Sequence, residues 1–408
     1  MMTVTAGSVV QQHFARSIAA TSCFFATEAA AVAECCRQMA ERFTRGGSLF
    51  VMGEGAQASD AQHVAVEFVH PIIVGKRALP ALALTSDIGV FTASGRGTSD
   101  DSFAASLRAL ARPIDIVLGI SAAGVEPSVR RAISEARKRG LLTVLITGPV
   151  AGADRLADVE LRVDDASALI VQEVSETIYH VLWELVHVFF ERDDAQQLFA
   201  YLPLASVATS NTDLVSAVEA STRQKARDAC ALRTAMLDAC GPRLAEAGHA
   251  MADRIRRQGR LLAFGNGGSA TDAQDAAADC LAPPDSAWQR VPAMALTNDM
   301  GVVTAIGNDV GFDHVFSRQV IAFGRPHDVA LGFSTSGASR NIVAAMTEAK
   351  SRGLLTVAMT GGDGGELARS AAVDYCFTAP SDHLPRIQEA HATAWHALLA
   401  VVQEELRS

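Results

Sequence analysis

The 408-residue chain has seven cysteines and no C-x-x-C pair among them. Cys23, Cys35, Cys36, Cys230, Cys240, Cys280 and Cys376 form an odd set, which points to reduced thiols in a cytoplasmic protein. Basic residues are outnumbered, 35 against 45 acidic, and the net charge of −10 argues against nucleic acid or an anionic membrane as the main partner. No basic flank followed by an apolar core marks a signal peptide, and no apolar run is expected to be long and charge-free enough to cross a bilayer. Low-complexity tails are absent too. What remains is 49% hydrophobic and 20% charged, a globular composition with material for large cores and length for two or three domains.

One stretch organises the rest. Leu261 to Phe264 is an apolar run of strand type, Gly265-Asn266-Gly267-Gly268-Ser269 breaks it, and an Ala-rich helical segment follows to Asp279. Strand, glycine loop and helix aim backbone N–H groups and a helix N-terminus at an anion. Alone, the same pattern also serves as a tight strand–helix turn. A second loop, Ser334-Thr335-Ser336-Gly337-Ala338-Ser339, follows the strand-like Leu331-Gly332-Phe333 and precedes a helix. Its hydroxyls suit a phosphate or, more simply, a helix cap. Ligands of open α/β sheets bind at such strand ends.

The chain states this order twice. Gly53 and Asp87 match Gly265 and Asp299 at an offset of 212, and Arg139-Gly140-Leu141-Leu142-Thr143-Val144 matches Arg352-Gly353-Leu354-Leu355-Thr356-Val357 at 213. Gln172 matches Gln388 at 216. Steady offsets indicate duplication of a whole domain. Strands alternating with helices in each copy predict α/β domains with parallel sheets. We place the first domain at residues 1–200 and the second at 205–408, joined within 195–212.

The second copy, over roughly 205–408, resembles the sugar isomerase (SIS) domain family and, within it, the sedoheptulose 7-phosphate (phosphoheptose) isomerases. The resemblance rests on the two loops above, Gly307-Asn308-Asp309-x-Gly311-Phe312, Phe316-Ser317-Arg318 and Arg386-Ile387-Gln388-Glu389. The first copy is a weaker relative over roughly 9–195. The resemblance implies two tandem three-layer α/β/α domains of flavodoxin-like topology, sites between subunits, and aldose–ketose isomerisation of a sugar phosphate through a cis-enediol. It also implies a divalent metal, zinc in most relatives, and a homodimer forming a four-domain assembly.

The copies keep different residues. His63 and Glu67 stand at family metal-ligand positions, at i, i+4 on one helix face, and Gln172 and His180 at the other two. A His–Glu pair at that spacing is also a common surface pair. Gln172 and His180 are two helical turns apart, so a reoriented helix start or long converging side chains are required. Glu67 and His180 are the candidates for base and acid, unless both serve only as ligands. Copy one, however, has Gln57 and Ser121-Ala122-Ala123-Gly124 where the phosphate hydroxyls would be.

Copy two keeps substrate candidates Asn266, Ser269, Asp309, Ser334, Thr335, Ser336 and Ser339, but has Asp275 and Asp279, with Gln388 and His396, as a second metal set. The Asn308-Asp309 pair is also a turn former. The family's Arg beyond the Glu is Pro71 and Pro283 here, and its Asp before the Gln is Leu169 and Pro385. Lys76, Arg77 and Arg318 are candidates for balancing phosphate charge. His391, Tyr179, Trp183 and Trp395 read as packing or interface residues. The expectation is a composite site, with metal from copy one and phosphate from copy two. The other reading is a non-catalytic phosphosugar-binding or protein-interaction scaffold.

Overall fold

A computed structural model describes residues 6–72, 76–93, 101–150, 155–190 and 211–407. Its contacts divide the chain into two units, residues 19–228 and residues 1–18 together with 229–408. The proposed join at 195–212 falls mostly outside the described residues.

In the first unit the strands are β1 (Leu49–Gly53), β2 (Ala81–Ala83), β3 (Ile116–Ser121), β4 (Leu142–Thr147) and β5 (Val159–Arg162). They form one parallel sheet in the order β2-β1-β3-β4-β5. The second unit repeats this with β6 (Leu261–Phe264), β7 (Ala293–Ala295), β8 (Val329–Ser334), β9 (Leu355–Gly361) and β10 (Tyr375–Ala379), ordered β7-β6-β8-β9-β10. Both are the flavodoxin-like 2-1-3-4-5 order. The register repeats as well, Leu49 opposite Ile116 in one sheet and Leu261 opposite Val329 in the other.

Each sheet is covered on both faces because its strands alternate between two apolar sets. Leu49, Val51, Ile116, Leu118 and Ile120 pack with Ala61, Val64 and Phe68 of helix Gln57–Val69. Phe50, Met52 and Val117 pack on the other side with Leu107, Val129 and Ile133. In the second unit Leu261, Ala263, Leu331 and Phe333 form one face, and Leu262, Phe264 and Ala330 the other. Burying both faces is what a parallel sheet requires.

The duplicated turn residues have duplicated jobs. A Cβ on Gly53 would meet the Gln57 carbonyl oxygen at 2.4 Å, and one on Gly265 the Ser269 carbonyl oxygen at 2.0 Å. No other residue lets the following helix return so close to the strand end. Asp87 accepts from the Val90 N–H at 3.0 Å and Asp299 from the Val302 N–H at 2.9 Å, so this matched pair serves as helix caps.

One expectation needs correction. Helix Ala6–Thr44 contains a window long and apolar enough, by length and composition, to cross a membrane. Between Arg16 and Arg37 the helix carries only two charged residues, Glu28 and Glu34, among Ala, Phe, Val and small polar side chains. In the structure Phe24, Phe25, Val32, Ala33, Cys35 and Cys36 of this helix lie in the first unit's core.

Candidate functional site

The glycine turn after β1 launches helix Gln57–Val69, which carries His63 and Glu67 on one buried face. Helix Ala168–Val186 supplies Tyr179 and His180 and is buried at every position from Leu169 to Val186. His63 Nε2 lies 3.3 Å from His180 Nε2 and 3.8 Å from Glu67 Oε1. The donor atoms of His63, Glu67 and His180 all fall within 4.8 Å of one another. Three of the four predicted ligands are thus brought together. Gln172 is buried on the same unbroken helix as His180, roughly 12 Å of rise away. A reoriented helix start is therefore not how this chain would bring it in.

Burial, and then the neighbouring His180, hold the His63 imidazole well below its ordinary range, so it is neutral at pH 7. Burial pushes the Glu67 carboxyl up to about 7, Glu184 adds to the effect, and Lys76 opposes it. Glu67 Oε2 is buried and has no hydrogen-bond partner among the described residues.

Two residues first read as packing or passed over set the direction of His63. The Tyr179 hydroxyl is 3.2 Å from Asp60 Oδ1 and 3.2 Å from His63 Nδ1. A carboxylate only accepts, so Tyr179 donates to Asp60 and its oxygen accepts from His63 Nδ1–H. That tautomer leaves the Nε2 lone pair facing His180 and Glu67, the arrangement that second-shell carboxylates impose on metal-bound histidines. The sequence signal was Asp60 three residues before His63, on the same helix face.

These donors fit a divalent cation. Two nitrogens on one tetrahedral zinc, each at about 2.0–2.1 Å, stand roughly 3.3 Å apart, which is the His63–His180 spacing. The unpartnered Glu67 oxygen and the neutral imidazole are the donor types that such an ion takes. Tyr179→Phe is expected to keep the fold while weakening zinc affinity about 10–100-fold, as loss of such an orienting partner does. Competition with a chromophoric chelator measures it, and unchanged affinity would remove Tyr179 from the site.

The matching positions of the second unit are arranged differently. Trp395 stands where Tyr179 does, and its Nε1–H donates to Asp279 Oδ2 at 2.9 Å, while His396 Nε2 lies 3.4 Å from the same oxygen. Asp275 does not join Asp279 and His396 in a three-donor cluster among the described residues. Gln388 is buried eight residues before His396. Asp279 therefore anchors an indole. Asp279→Ala should leave the buried Trp395 N–H unpaired and cost about 1–3 kcal/mol of stability. Chemical denaturation reads that loss, and metal content should stay as in wild type.

The hydroxyl loop lies at the end of β8. The Ser334 hydroxyl donates to Ser339 Oγ at 3.2 Å, Ser336 Oγ accepts from the Ala338 N–H at 3.3 Å, and Gly337 turns the chain with φ +61°. Ser339 precedes helix Arg340–Ser351, but its side chain does not cap it. Asn266 and Asn341 exchange amide hydrogen bonds at 2.9 and 2.8 Å, tying this loop to the glycine loop after β6. Ser269 is buried in the first turn of helix Gly268–Leu281. Thr335 and Ser336 line a cleft of about 370 Å³ with Gly361, Gly362, Ser381 and Leu384 among its other walls.

The remaining candidates divide. Asp309 is exposed at a helix end and accepts from Asn308 Nδ2 at 2.8 Å, a local turn contact. Arg318 is exposed. Lys76 Nζ donates to the Glu184 carbonyl at 2.7 Å and lies 4.4 Å from the Trp183 ring centroid. His391 is buried and shares a 2.9 Å hydrogen bond with the Thr360 carbonyl, its pKa lowered to about 4 by burial.

The SIS domain model matches residues 12–148 and 226–361, more than half of the chain. A phosphoheptose isomerase of Rhodospirillum rubrum is 41% identical over 169 residues, which is 41% of this chain and 89% of that protein. One from a Roseiflexus species is 45% identical over 161 residues, 38% of this chain and 81% of the relative. Across nearly the whole chain, the C-terminal domain of glucosamine-fructose-6-phosphate aminotransferase from Francisella tularensis shares the fold. Its TM-score is 0.62 at 9% identity, covering 98% of this chain and 96% of that one. Two parallel sheets of one topology, two matched segments and this likeness lead to one assignment: the chain belongs to the SIS domain family and carries the domain twice.

Proposed function

We propose that this protein is a sugar-phosphate isomerase of the phosphoheptose isomerase type, acting in the cytoplasm. The observation that carries the reading is the buried His63–Glu67–His180 cluster, with a neutral imidazole and an unpartnered carboxylate oxygen. Relatives named phosphoheptose isomerase, at above 40% identity over most of their own length, support it.

In this reading His63, Glu67 and His180 hold a divalent ion, zinc by its donor set, with Gln172 as a fourth candidate. When bound, the ion would polarise the substrate carbonyl and stabilise the oxyanion beside it. Glu67, where it does not serve as a ligand, is the candidate to take the proton alpha to the carbonyl and return it to the neighbouring carbon. His180 is the candidate to serve the oxygens. In the second unit, Ser334, Thr335, Ser336 and Ser339, with Asn266 and Ser269 at the neighbouring helix start, are the candidates for binding a phosphate through hydroxyl and backbone donors.

The test is isomerisation of a sugar-phosphate panel that includes sedoheptulose 7-phosphate, followed by NMR before and after chelator. Turnover that chelator removes and zinc restores is expected. Binding of sugar phosphates with no turnover in zinc-loaded protein would leave a phosphosugar-binding protein instead.

A further inference from the structure

The strand ends of the second unit carry neutral partners, Asn266 with Asn341 and Ser334 with Ser339. At the four matching positions the first unit has Glu54, Ser128, Ser121 and Glu126. The Ser121 hydroxyl donates to Glu126 Oε2, and the Ser128 hydroxyl donates to Glu54 Oε1. Both serines are buried. Glu126 immediately precedes helix Pro127–Lys138, yet its side chain does not cap it and turns to Ser121 instead. Burial raises the Glu126 carboxyl, the Ser121 hydrogen bond opposes this, and the charge of Glu54 adds to the rise, which marks the two carboxylates as neighbours.

We infer that the first unit carries its own anion: Glu54 and Glu126 engage the hydroxyls at its strand ends, so phosphate is excluded there and each chain binds one phosphate group. A hydroxyl has one proton to donate, and Ser121 and Ser128 have each given theirs to a carboxylate. Two carboxylates at the mouth of the same loops also repel a dianion. Substitution thus did more than remove the first unit's phosphate donors; it installed a permanent substitute for the ligand. The inference rests on the phosphate reading of the Ser334–Ser339 loop.

The experiment titrates the full chain, deuterated and ¹⁵N-labelled, with inorganic phosphate. Backbone amide shifts of Gly55 and Gly124 report on the first unit, and those of Gly267 and Gly337 on the second. Wild-type protein should show saturable shifts at Gly267 and Gly337 alone. In Glu54→Asn/Glu126→Ser, saturable shifts should appear at Gly55 and Gly124, with affinity there at least about tenfold above wild type once the like charges are gone. If that variant does not fold, Glu54→Gln/Glu126→Gln removes the charge at constant volume and should show the same gain. Saturable wild-type shifts at Gly55 and Gly124 comparable to those at Gly337, or a folded variant that gains none, would overturn the inference. Silence at Gly267 and Gly337 in wild type would refute the phosphate reading of the second unit and the count of one phosphate per chain, while the gain at Gly55 and Gly124 would still decide whether Glu54 and Glu126 exclude phosphate.

Discussion

Replacing His63 or Glu67 by alanine is expected to strip the first unit of bound divalent metal and to lower kcat/KM for isomerisation by about 100-fold or more. Loss of a mere orienting partner already costs 10–100-fold, and these residues offer donor atoms themselves. The fold should survive. Glu67 has an oxygen with no partner to lose, and its carboxyl is held at about 7 against a usual 4.5 by burial, so in metal-free protein the buried charge works against folding. The sign follows from that direction. A carboxyl whose pKa is raised in the folded state imposes no penalty below its unfolded value, and the penalty grows as pH rises toward the folded value. Chelator-treated Glu67→Gln should therefore match wild type in stability near pH 4.5 and exceed it at pH 8, by up to about 3 kcal/mol. Denaturant melts at the two pH values measure it. Lower stability of the glutamine variant at pH 8 would mean that the carboxylate is paired in a way this account omits.

Replacing Ser334 and Ser336 together by alanine should weaken sugar-phosphate binding by about 10–100-fold, a loss of about 1–3 kcal/mol for the two hydroxyl donors together. Metal content should not change. Ser121→Ala provides the contrast: its hydroxyl is spent on Glu126, so phosphate affinity should be unaffected. Calorimetric titration with a sugar phosphate reads both. Equal affinity in wild type and Ser334→Ala/Ser336→Ala would show that those hydroxyls only brace the turn, through the Ser339 and Ala338 contacts they already make.

The fold was legible because glycine, strand and helix signals recur at fixed offsets. Gly53 and Gly265 are forced by backbone approach, and Asp87 and Asp299 by capping, so both copies advertise the same turns. His63 and Glu67 could be placed on one face from i, i+4 spacing, and the third donor followed from the family resemblance. What the sequence withheld was the use of ordinary residues at matched positions. Tyr179 and Trp395 both look like packing aromatics, yet one reaches Asp60 and His63 while the other reaches Asp279. Glu54 and Glu126 look like solvated charges beside a loop; only their geometry shows them engaging Ser128 and Ser121. The apolar window in helix Ala6–Thr44 was underestimated because composition does not say which face a helix buries.

The central claim is that the first unit's cluster is a metal centre and the second unit's altered positions are not. Metal stoichiometry decides it: elemental analysis of protein purified without chelator, wild type beside Glu67→Ala and Asp279→Ala. One divalent ion per chain is expected in wild type and in Asp279→Ala, and none in Glu67→Ala. An ion that survives in Glu67→Ala and disappears in Asp279→Ala would contradict it.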